Sequence, residues 1–154
     1  MLPVPRCPEK VPPLRWRLGE QRGQALVETG LVVVFLVFLF GGIVEMGRAW
    51  MILNMVTHAC RDGARAAAVA PSTNRDGNGM LDSGTITAVQ TQVLNEIQSV
   101  MDPSTLSTPA VTQSTSSGIP VVTVRVTGTV PYVFGFFGAS LAVNRSATFR
   151  DEGR

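Results

Sequence analysis

The chain has 154 residues: 13 are Lys or Arg, 11 Asp or Glu, one His and two Cys, with 45% hydrophobic and only 16% charged. That much apolar surface excludes a wholly disordered chain, and two cysteines exclude a disulfide-stapled scaffold or a zinc site built on CxxC pairs. Residues 1–23 carry Arg6, Lys10, Arg15, Arg17 and Arg22 against Glu9 and Glu20, while residues 24–154 carry eight arginines against nine acidic residues; no basic surface is left to track a phosphate backbone, so nucleic acid is not an expected partner.

Ala25 to Val44 reads ALVETGLVVVFLVFLFGGIV, 20 residues with Glu28 as the one charge. At about 1.5 Å per residue this spans the roughly 30 Å of a bilayer core, which predicts a transmembrane helix over 24–45. The basic residues before it place the N-terminus in the cytoplasm and residues from 46 onward in the periplasm or outside the cell. A secretory cleavage site needs small residues soon after the apolar core. Glu45-Met46-Gly47-Arg48 follows instead, and the small-residue patch Ala64–Ala68 comes some 20 residues later.

The edge of this segment reads Arg22-Gly23-Gln24-Ala25-Leu26-Val27-Glu28. It resembles the cleavage signal of type IV prepilins: a basic leader (here 1–23), a glycine before the scissile bond and a glutamate at the fifth position of the mature chain. The resemblance implies that a prepilin peptidase cuts between Gly23 and Gln24 on the cytoplasmic face. Independently of that, a carboxylate about one turn inside the hydrocarbon is costly unless it is paired. A cut after Gly23 creates an α-ammonium group one turn away, and a neighbouring subunit would offer the same group. The plainer reading is that Glu28 snorkels to the head groups.

From Glu45 to Ala70 no proline intervenes and helix formers dominate, so the helix is expected to continue over 46–70, with Trp50 near the interface. Ala59, Gly63 and Ala67 fall four apart, a small-residue stripe that lets another helix or a sheet approach closely. Leu53, Val56 and Cys60 form an adjacent core face, and Arg61, Asp62 and Arg65 lie toward solvent. On these residues the chain resembles the TadE-like family: an RGQ-x-x-VE opening at Arg22–Glu28, an (I/V)E-(F/M)-GR step at Val44–Arg48, and an A-(A/C)-R-(D/E)-GAR segment starting at Ala59, with Ser146–Arg150 similar to the family's closing strand. The resemblance implies a pseudopilin of the tight-adherence (Tad, type IVb) pilus. Implied with it are a role in pilus assembly, adhesion or surface attachment, and partners comprising the prepilin peptidase, other pilins, the inner-membrane assembly platform and membrane lipid. The segment around 72–84 departs from that pattern.

In the remaining region, 71–154, Asn74, Asp76 and Asn78 are alternate oxygen donors, Gly79 suits a sharp turn and Asp82 stands at the ninth position. The spacing is that of a calcium loop, although Thr85 stands where an acidic closing ligand belongs; the alternative is a glycine-rich turn before a helix. Ile86, Val89, Val93, Leu94, Ile97 and Val100 predict an amphipathic helix over 85–101, closed by Pro103. A Ser/Thr/Pro-rich stretch to Gly118 reads as loop with one short strand near 110–112. Residues 119–130 alternate as a half-buried strand and 141–150 as a second, antiparallel one. Between them lies an aromatic loop over 132–137, which either caps the core or meets the outer leaflet or a neighbouring subunit. The fold class is α+β: a long N-terminal helix with transmembrane and periplasmic halves, a second amphipathic helix and a small antiparallel sheet, the plan of pilin-like subunits.

Catalytic motifs are missing from the sequence. His58 and Cys60 are two apart, about 200° around a helix, which is poor geometry for a dyad. An enzyme is not expected, nor any cofactor beyond calcium. The competing reading to a pilin is a single-pass anchored binding protein that never polymerises.

Overall fold

A computed structural model describes residues 17–135 and 137–153, with the side chains of the first helix described from Gly23 onward. Leader residues 1–16, Cys7 among them, lie outside this range. The chain is α+β. Helix α1 runs Arg17–Ala68, helix α2 Ser83–Gln98, and strands β1 Ala110–Ser116, β2 Ile119–Pro131 and β3 Ser140–Arg150 form one antiparallel sheet in the order β1-β2-β3. It divides into two compact units, one up to Phe40 and one from Gly41 onward.

The described part of the first unit is helix. Each of the ten side chains from Leu31 to Phe40 is exposed, Leu36 least at 40% and Leu31 most at 71%. A helix apolar on every side is stable only inside a large core or in lipid. Among the described residues α1 supplies the one helix, Gly23–Ala68, that is long and apolar enough to cross a membrane.

In the second unit the rest of α1 turns amphipathic. Ile52, Val56, Ala59, Cys60, Ala64 and Ala67 are buried in one core with Val89, Val93 and Ile97 of α2, Val122, Val124, Val126 and Val130 of β2, and Val143 of β3. Alternation along β2 sends its valines inward because successive strand side chains point to opposite faces. Arg61, Asp62 and Arg65 are exposed.

The elements differ in their bounds from the sequence reading: α1 starts at Arg17 rather than 24 and ends at Ala68 rather than 70, β2 and β3 each gain one residue at their shared loop, and α2 and β1 shift as well. Helix α2 starts two residues earlier, since Asp82 is its N-cap and accepts the Thr85 N–H at 2.6 Å. It also ends earlier, because Val100 N–H bonds the Ile97 carbonyl three residues back and tightens the last turn. Strand β1 extends to Ser116 and pairs with β2 from Ala110↔Arg125 to Ser116↔Ile119. The two-residue turn Ser117-Gly118, with φ of 51° and 78°, closes this hairpin; two positive φ values in succession match the twist of paired strands. Its polar composition hides β1, yet an edge strand needs only one partner and little apolar content.

Candidate functional site

At the start of α1, Gly23, Gln24 and Glu28 are all exposed, and nothing lies within 4 Å of the space a Cβ on Gly23 would occupy. The candidate scissile bond between Gly23 and Gln24 lies within the continuous helix α1, which starts at Arg17. Glu28 has no hydrogen-bond or ion-pair partner among the described residues, four residues after Gln24 in the stretch 24–44 that carries no other charge. The neighbouring Thr29 returns its hydroxyl to the Ala25 carbonyl at 2.8 Å and so hides its own polarity.

The small-residue stripe lies in the second unit, within the chain's own core. Ala59 and Ala67 are fully buried. A Cβ on Gly63 would stand 2.5 Å from Val93 Cγ2, 3.5 Å from Val89 Cγ1 and 3.9 Å from Val124 Cγ1. The absent side chain is what lets α2 and β2 close on α1. Cys60 is buried, with its thiol 3.7 Å from the Arg145 carbonyl, while His58 is exposed.

The residues of the candidate calcium loop each have a local role. Asp76 Oδ1 accepts the N–H groups of Asn78 at 2.9 Å and Met80 at 2.8 Å, an Asx turn. Asp82 caps α2, and hydrogen bonds from the Thr85 side chain and N–H hold its carboxyl below the usual carboxylate range. Asn74 Oδ1 accepts the Thr73 hydroxyl at 3.3 Å, and the Asn78 side chain is exposed. Among the described residues no group of three or more His, Cys, Asp or Glu could hold a metal ion; the Asn74 and Asn78 amides of this loop are of another kind.

The cation that organises this segment is the Arg75 guanidinium, which the sequence reading passed over. It forks onto Asp151 at 2.6 and 2.9 Å and donates to the Ala70 and Gly79 carbonyls at 3.2 and 3.0 Å. Gln113 Nε2 adds a bond to Asp151 at 2.8 Å, and its Oε1 accepts the Leu81 N–H. Burial works to raise the Asp151 pKa, but the bonds from Arg75, Gln113 and the Gly153 N–H outweigh it and hold it below the usual range. Charged residues 76 apart in sequence give no local signal of such a pair.

A second cluster forms where the apolar run ends. Glu45 is only 2% exposed and accepts the backbone N–H groups of Phe134 at 3.0 Å and Gly135 at 3.3 Å. Arg48, one turn on, donates to the Pro131 carbonyl at 3.2 Å. Gly135 has φ of 71°, so its N–H and its neighbour's turn together toward one anion. The visible signal is a Glu and an Arg three apart directly after an uncharged stretch. Of the β2–β3 loop, Tyr132 is half-buried, and Val133, Phe134 and Phe137 are exposed. Phe136 lies outside the described residues.

No curated protein and no solved structure matches the chain. The family model described as "TadE-like protein" matches residues 23–65, the stretch running from the glycine at the candidate cleavage site through the Glu45/Arg48 step to Arg65. Over this segment the chain is similar to the TadE-like family.

Proposed function

We propose that this chain is a minor pilin or pseudopilin of a Tad-type (type IVb) pilus or secretion assembly. It is cut by a prepilin peptidase between Gly23 and Gln24, anchored by α1 as a single pass in the inner membrane, and packed through that helix among other pilins. Its N-terminus faces the cytoplasm, and the unit carrying α2 and the sheet faces the periplasm. Its role is in pilus biogenesis, adhesion or surface attachment, with no catalysis of its own and no cofactor.

The observation that carries this reading is Glu28, without a partner among the described residues, on the all-round apolar stretch of α1 that follows Gly23. A carboxylate in a membrane helix costs about 3 kcal/mol at the helix centre. An α-ammonium about 6 Å away at an effective dielectric constant of about 20 returns roughly 3 kcal/mol. The two are of one size, so cleavage offsets the cost of the charge, and a packed neighbour does the same between subunits. The TadE-like match over residues 23–65 supports the same role.

Intact mass of the membrane-extracted protein tests it. In cells with an active prepilin peptidase the chain should lack Met1 to Gly23 and begin at Gln24, cyclised or not. The full-length mass in such cells would overturn the reading.

A further inference from the structure

We propose that the loop between β2 and β3 is a membrane-docking element: Val133, Phe134 and Phe137 enter the head-group layer of the bilayer that α1 crosses. The inference rests on the membrane reading of α1 given above, but not on cleavage or polymerisation.

The loop is fixed at a defined level of α1. Glu45 holds its backbone at Phe134 and Gly135, Arg48 holds it at Pro131, and Phe137 Cζ lies 3.7 Å from where a Cβ on Gly42 would stand. Residues 42–48 cover about 9 Å of helix axis, and the apolar run ends among them at Val44. The polar layer of each leaflet is of similar depth, about 5–8 Å. At that level α1 exposes Ile43, Val44, Met46 and Trp50, the last at 68%. An exposed tryptophan there matches the aromatic belt of membrane proteins.

The loop itself has the chemistry of the interface. From Pro131 to Leu141 there is no charged residue. Val133, Phe134 and Phe137 are 62%, 56% and 54% exposed, and Tyr132 leans on Phe137 with ring centroids 6.3 Å apart. Clustered apolar exposure of this kind marks a surface that is covered in use. A second copy is the weaker occupant. Three half-exposed side chains offer roughly 300 Å², against about 800 Å² per partner in a stable protein interface. Lipid sets no such threshold, because α1 already brings the loop to the bilayer.

The full chain, with Trp16→Phe and Trp50→Phe, is reconstituted in phosphatidylcholine/phosphatidylglycerol vesicles whose acyl chains are brominated near the head group. Single tryptophans are introduced as Phe134→Trp and, should that variant misfold, Val133→Trp. Val37→Trp reports the helix in lipid, and Thr115→Trp, exposed beside the hairpin turn, reports water. The expected result is bromolipid quenching at 134 or 133 several-fold above that at 115, with blue-shifted emission. Quenching at both loop positions no greater than at 115, while 37 is quenched, overturns the docking proposal and leaves the membrane reading standing. A loop signal that follows protein density instead of bromolipid content assigns the surface to a second copy and also overturns it. No quenching at 37 removes both readings.

Discussion

Gly128 and Asp151 show how much of this fold hangs on single atoms. A Cβ on Gly128 would meet the Thr105 carbonyl at 2.6 Å and Leu106 Cα at 2.8 Å. Those are backbone atoms, and Leu106 bridges to Gly128 across the gap, so neither can step aside cheaply. Gly128→Ala should cost about 1–3 kcal/mol, the range for overpacking, read as a lower denaturation midpoint of the full chain in detergent. At Gly63 the clash is with the end of a valine side chain, which can rotate, so the same substitution should cost less there. Asp151 accepts from both ends of the Arg75 fork, and both side chains are under 10% exposed. Asp151→Ala should lose about 2 kcal/mol, because it leaves a guanidinium with two unmet donors. The Asp151 pKa is lowered by folding. Its contribution is therefore complete above the unfolded value near 4 and disappears as pH falls through the lower folded value. Acid melting of the wild type should show this loss below about pH 4, and the Ala variant should lack that component.

At the scale of elements, local chemistry sets the ends and burial sets the faces. Helix α2 begins where Asp82 caps it, and Asp82→Ala should lower the melting temperature by less than Asp151→Ala does, since the cap is exposed while the Arg75 pair is enclosed. Its inner face, Val89, Val93 and Ile97, follows the helical repeat and was visible in the sequence. Strand β1 was visible only in part. Its residues AVTQSTS carry one large apolar side chain, so no alternation announces it; seven register pairs with β2 hold it. The Arg75-Asp151-Gln113 cluster draws from the segment before α2, the chain end and β1, a convergence that sequence spacing does not encode.

For the whole molecule, the two units differ in what they leave exposed. From Gly23 to Phe40 the described chain is a helix whose apolar side chains are exposed on all sides; from Gly41 it is a domain with an enclosed core. Glu28 is the one charge of the apolar stretch 24–44. Glu28→Ala should leave membrane insertion intact, because removing a charge only favours lipid, while abolishing incorporation into filaments. Fractionation and pilus counts measure the two separately, and normal piliation by the variant would remove the proposed role of the carboxylate.

The sequence by itself determined the apolar helix, its length, the single charge within it and the inward valines of β2, since these follow from periodicity and from the thickness of a bilayer. It also carried the TadE-like signature over residues 23–65. Only the tertiary structure decided that the stripe Ala59-Gly63-Ala67 is covered by the chain's own α2 and β2. The same holds for Glu45 and Arg48, which grip a loop more than 80 residues away, and for Arg75, which finds Asp151 near the other end of the chain. The physical reason is that a pattern of apolar residues names a face without naming what covers it. The partner of a buried charge is chosen by three-dimensional proximity, to which separation along the chain gives no guide.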